Sequence, residues 1–163
     1  MIVIVIIGLV YTLAVSKLSS VGEEKMSPSL LNLKEYLGGF LKEGGERARL
    51  LCLDDCSECG VYVDGERVAK IESFFDESVE IYRYDFLLGA MRTKDAVFFN
   101  EENIQESVCF SFELYKNGIS EQLLVLYDKK VYDYTPYFEP TKVYDSLGEM
   151  VEKKQILAQR LMR

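Results

Sequence analysis

Four cysteines, Cys52, Cys56, Cys59 and Cys109, are the side chains here whose type and spacing could carry chemistry, and three share the stretch CLDDCSEC. Completed by Cys109, this C-x3-C-x2-C cluster could offer four thiolates to a structural zinc ion. Zinc sites of that kind usually pair two C-x2-C knuckles, and only one is present. Asp54, Asp55 and Glu58 also put negative charge beside the sulfurs, which raises thiol pKa values unless a cation is bound. A redox reading of Cys56-Ser57-Glu58-Cys59 needs the pair to open a helix after a strand. Here Gly60 and an apolar strand pattern follow instead. Disulfides are the remaining chemistry, and an even number of cysteines favours them in an oxidising compartment. Cys56 and Cys59 are near enough in sequence to close a small loop. Cys52 and Cys109 fall in strands that could be neighbours, and all three connectivities of four cysteines stay open.

Other chemistry is sparse. The 163 residues contain no histidine, which removes the commonest general base and metal ligand. Asp and Glu outnumber Lys and Arg 27 to 19, a net charge of −8 that repels phosphate backbones and excludes nucleic acid as the main ligand. The acidic pairs Asp54-Asp55, Asp76-Glu77 and Glu101-Glu102 lack the spacing of a calcium loop, and Gly44-Gly45-Glu46-Arg47 lacks the Lys-Ser/Thr of a phosphate-binding loop. A non-enzymatic protein with neither cofactor nor metal is expected.

The elements that must hold the cysteines read mainly as strands. Ser27-Pro28 marks a helix start, and Leu30, Leu33, Leu37, Phe40 and Leu41 then recur at helical spacing up to Gly44-Gly45. RARLLCL (47–53) is an apolar run, and VYVDGERVAKI (61–71) reads as a hairpin turning at Asp64-Gly65. VEIYRY (79–84), DAVFF (95–99), SVCFSFELY (107–115), EQLLVLYD (121–128) and KVYDYT (130–135) follow, with a turn at Asn117-Gly118. Strands joined without intervening helices predict an antiparallel sheet. The chain then closes on an amphipathic helix, opened by the capping pattern of Ser146 and Glu149 and packed on the sheet through Leu147, Met150, Val151, Leu157, Ala158 and Leu161.

At the front stands MIVIVIIGLVYTLAV, fifteen residues without a charge. As a helix it reaches about 22 Å, against about 30 Å for a bilayer's hydrocarbon core. A cleaved signal peptide should open with basic residues, and none is present. MIVIVII could pass for a buried strand, but apolar character runs on to Leu18 without a turn signal. A membrane helix preceded by further residues fits best.

This run resembles the N-terminal helix of type IV pilins and of type II secretion pseudopilins. Met1 to Gly8 matches the end of the family's "E-L-M-I-V-I-x-I-I-G-I-L" pattern, with Gly8 at the usual helix glycine. The leader, the N-methylated Phe and the Glu of that family would lie ahead of Met1, and about six further helix residues there would bring the helix to the spanning length of about 20 residues. The resemblance implies a pilin-like α+β fold: an N-terminal hydrophobic helix, an antiparallel sheet domain, and here a C-terminal helix. It divides the chain into a membrane or filament-core helix (1–20), a joint with an amphipathic helix (21–45) and a periplasmic sheet domain (46–163). It implies a subunit of a type II secretion, type IV pilus-like or DNA-uptake assembly. Ile2, Val3, Ile4, Val5, Ile6, Ile7, Gly8, Leu9 and Val10 would pack on other pilin-like subunits, and the chain would meet an assembly platform from a single-pass position in a bacterial inner membrane. A periplasmic location would favour disulfides at the four cysteines. A bitopic protein with a periplasmic binding or sensor domain and a metal or redox domain at the cysteines are the rival readings.

Overall fold

The computed structural model describes residues 27–42, 44–93, 96–99 and 103–161. The run read as a membrane and filament helix, with the assembly residues Ile2 to Val10, lies outside the described residues. In chain order the elements are α1 (Leu33–Leu41), β1 (Arg47–Leu53), β2 (Glu58–Val63), β3 (Glu66–Glu72), β4 (Glu80–Asp85), β5 (Gly89–Arg92), β6 (Ala96–Phe99), β7 (Gln105–Tyr115), β8 (Leu124–Tyr127), β9 (Lys130–Asp133), β10 (Lys142–Tyr144) and α2 (Leu147–Leu161).

The pilin-like α+β expectation is corrected here. The strands divide between two five-stranded antiparallel sheets, ordered β3-β2-β1-β7-β6 and β10-β9-β8-β4-β5, and the two helices among the described residues are short. The division follows from the connections. After β7 the Asn117-Gly118 turn forms as the sequence predicts, with Gly118 at φ 83. The Glu121 N–H then donates to Glu113 O at 2.9 Å before the chain leaves for the second sheet. β7 and β8 therefore belong to different sheets, not to one hairpin. β5 and β10, which carry weak strand patterns, complete the second sheet.

The single-pass inner-membrane placement is corrected as well. No helix among the described residues is long and apolar enough to cross a membrane. The helices have nine and 15 residues, and at 1.5 Å per residue the longer reaches about 22 Å.

Helix α1 starts at Leu33 instead of Pro28 because side chains upstream take up backbone groups that helix bonds would need. The Asn32 side chain accepts the Ser29 N–H at 2.8 Å and donates to Ser27 O at 3.1 Å. Leu33, Leu37 and Leu41 make the buried stripe and fill the space between the sheets. There they meet Leu50, Val61, Phe110 and Phe112 of the first sheet, Val125 of the second, and Tyr134 just after β9. Phe75, on the crossing from β3 to β4, stacks against Phe110 and Tyr127 at 4.8 and 5.2 Å between ring centroids.

The second sheet is covered on both faces. Along β8, Val125 faces the central core, while its neighbour Leu124 faces Met150 and Val151 of α2. The capping pattern before α2 forms as read: the Glu149 N–H donates to Ser146 Oγ at 3.2 Å, and the Glu149 carboxylate accepts the Asp145 N–H at 2.8 Å. Leu157, expected on the packed stripe, is 57% exposed.

Candidate functional site: the cysteine hairpin and the open face of the first sheet

The β1–β2 hairpin places Cys52 directly opposite Cys59, with Cα atoms 4.1 Å apart, and joins them by a disulfide. Cys56, on the four-residue turn between the strands, pairs with Cys109 of β7 across 5.7 Å. The suggested small loop from Cys56 to Cys59 is not formed, nor is a Cys52–Cys109 link. Local geometry explains the choice. β2 begins at Glu58, so Cys59 already lies in the ladder, out of reach of the turn residue beside it. Cys56 takes φ 65 and its N–H donates to Leu53 O at 3.0 Å, which tucks its sulfur inward. On β7 the register slips between Cys52/Phe110 and Leu53/Val108, leaving Cys109 as the extra residue of a bulge. The bulge turns Cys109 toward the central core, against which it packs. No free cysteine remains to serve as a zinc ligand or thiol nucleophile.

The disulfides brace one face of the first sheet and leave the other open. Ala48, Leu50, Cys52, Cys59 and Val61 belong to the core side. By strand alternation Leu51, Leu53, Gly60 and Tyr62 belong to the outer side, where no described helix or strand packs. An open groove of about 960 Å³ runs there from the β2–β3 turn, past Leu51 and Leu53, to Phe98 and Phe99 on the edge strand β6. Phe99 is 57% exposed. Gly60 shapes the floor: a Cβ there would stand 2.7 Å from Tyr62 Cε2, so only glycine lets that ring lie across the strand.

Carboxylates rim the groove. Asp55 accepts the Ser57 N–H at 3.0 Å, and hydrogen bonds from Ser57 hold its carboxyl below the ordinary range. Glu58 is held low by Lys70 and then Arg67, each 2.6 Å from a carboxylate oxygen. Asp54 and Glu66 share the rim and have no ion pair among the described residues. The acidic pair Asp54-Asp55, read from sequence as solvated loop charge, thus forms one end of an apolar groove. The run Leu51-x-Leu53 was the available signal, since a strand apolar on both faces must either be covered or offer one face to something else.

Away from the groove, two lysines act as struts. Lys34 donates to the carbonyls of Pro136 and Glu139 at 2.6 and 3.3 Å, fixing the loop after β9, and burial lowers its pKa despite Asp133 and Glu139 nearby. Lys154 meets Asp133. In the aromatic cluster near Pro136 and Pro140, Tyr134 is core and Phe138 is 80% exposed.

No protein-family model matches the chain, and no curated protein or solved structure matches it either.

Proposed function

We propose that this chain is a non-enzymatic recognition domain that folds where disulfides form and binds a partner protein on the open face of its first sheet. One observation carries the reading: among the described residues, no helix or strand packs on this sheet face, yet around the buried Leu51 it carries half-buried Leu53 and Phe98 and exposed Phe99. Two disulfides hold the strands beneath it, so the surface is formed before a partner arrives. A photo-crosslinking residue at position 99 tests this against one at position 157, equally exposed but on α2. In cells making the protein at its natural level, a partner should crosslink from 99 and not from 157. Loss of that crosslink on Leu53→Arg, with the fold retained, completes the test. Equal crosslinking from both positions rejects it.

A second reading, a non-enzymatic subunit of a pilus-like assembly, is supported by the match of Met1 to Gly8 to the pilin helix pattern. Cysteines placed at Val5 and Val10 should then link neighbouring copies in the assembled state. Absence of such links removes this reading without touching the first.

A further inference from the structure

The groove over the first sheet has a charge as well as a shape, and together they specify what would fill it. Its floor is apolar: Leu51 and Gly60 are buried in it, Leu53 and Phe98 extend it toward β6, and Tyr62 extends it toward β3. Its lining includes five carboxylates, from Asp54, Asp55, Glu58, Glu66 and Glu106, and one guanidinium, from Arg67. Glu58 is engaged by Arg67 and Lys70. Asp54 and Asp55 form one end of the trough and Glu66 the other, so the negative charge brackets the apolar floor.

Resting on the recognition reading above, we infer that the occupant is a short segment of a partner protein in which Lys or Arg alternates with large apolar residues. Its apolar side chains lie on Leu51, Leu53 and Phe98, and its cations meet Asp54, Asp55 and Glu66. Complementary charge of this kind accelerates encounter and fixes register, while the apolar floor holds the bound state. The same carboxylates repel a nucleic-acid backbone or an anionic lipid surface. A second copy of the chain, with net charge −8, is also repelled.

The test uses the oxidised full chain and synthetic peptides of about 12 residues, enough for an extended segment to cross the roughly 20 Å of a five-stranded sheet with residues to spare at each end. One alternates Leu and Lys, one Gly and Lys, one Leu and Ser. Binding is read by fluorescence anisotropy. The Leu/Lys peptide should bind at least about tenfold tighter than either control, and more weakly as salt rises. The variant D54N/D55N/E66Q should lose about tenfold of that affinity. E35Q/D128N/E152Q, which removes the same charge from exposed sites elsewhere, should lose less than about threefold. Circular dichroism confirms that both variants fold, and Phe98→Ser, which removes floor and leaves charge, should also weaken binding.

Equal loss in the two charge variants overturns the inference, because the attraction is then diffuse. Leu/Ser binding as tight as Leu/Lys, abolished by Phe98→Ser, overturns the basic character of the partner and leaves the recognition reading standing. A dimer that Phe98→Ser dissolves puts a second copy in the groove and also overturns the inference. If no peptide of any charge responds to Phe98→Ser, and position 99 gives no crosslink, both readings fall.

Discussion

Lys154 Nζ lies 2.7 Å from Asp133 Oδ2 and so ties the last helix to a carboxylate that solvent does not reach. The other Asp133 oxygen accepts the Thr135 N–H and hydroxyl at 2.9 and 2.7 Å. Removing the lysine alone leaves that charge buried and uncompensated, so Lys154→Met should cost about 3 kcal/mol. The double variant D133N/K154M, which removes both charges, should cost less than the single one. Urea unfolding of the three proteins checks both statements.

The two disulfides should differ in worth because they close loops of different length. Cys56–Cys109 spans 53 residues and Cys52–Cys59 only 7. On loop-closure entropy, C56A/C109A should lose about 4 kcal/mol and C52A/C59A about 2.5 kcal/mol. Denaturant midpoints under oxidising conditions give the comparison, and peptide mapping without reductant should recover the pairings 52–59 and 56–109.

Tyr134 is buried beside Phe112, and its hydroxyl donates to Leu30 O. Burial pushes its pKa far above the ordinary value near 10. With the folded-state value raised, its contribution to stability is complete below pH 10 and is lost as pH rises beyond it. Each further pH unit should then remove about 1.4 kcal/mol on account of this group. Tyr134→Phe should flatten that alkaline slope, while costing about 1 kcal/mol at neutral pH for the missing hydrogen bond. Chemical denaturation between pH 7 and 11 measures both.

The β2–β3 turn is Asp64-Gly65, with both residues at positive φ, 51 and 98. The Asp64 carboxylate also accepts the N–H groups of Glu46 and Arg47, at 3.1 and 2.9 Å. Gly65→Ala meets no steric neighbour, so its cost is conformational, about 1 kcal/mol. Asp64→Ala strands the N–H groups that start β1 and should cost more, about 2 kcal/mol. Thermal unfolding ranks the two.

What could be read in the chain depended on the range of the interaction. The Asp64-Gly65 hairpin, the Asn117-Gly118 turn and the Ser146/Glu149 cap are set by residues a few positions apart, and the structure forms all three. The split into two sheets depends on which way the chain runs after Glu121, a decision made by contacts with Glu113 and with a sheet more distant in sequence. The cysteine pairing failed to emerge for a related reason. A one-residue bulge at Cys109 reverses the face a side chain occupies, and alternation alone gives no sign of it. The groove was hidden because Leu51 looks like any core leucine until Leu50 beside it is seen to take the core side.

Tension applied along the chain would meet the Cys56–Cys109 bond early. The 53 residues it spans include five strands and most of the groove, and they would stay out of the load path until the bond is reduced. At full extension that withholds roughly 180 Å of contour. In its oxidised form the domain is thus a limited-extension link: a pull that strips α1 and α2 from the sheets leaves most of the recognition face, from Ser57 to Glu106, in covalently closed chain.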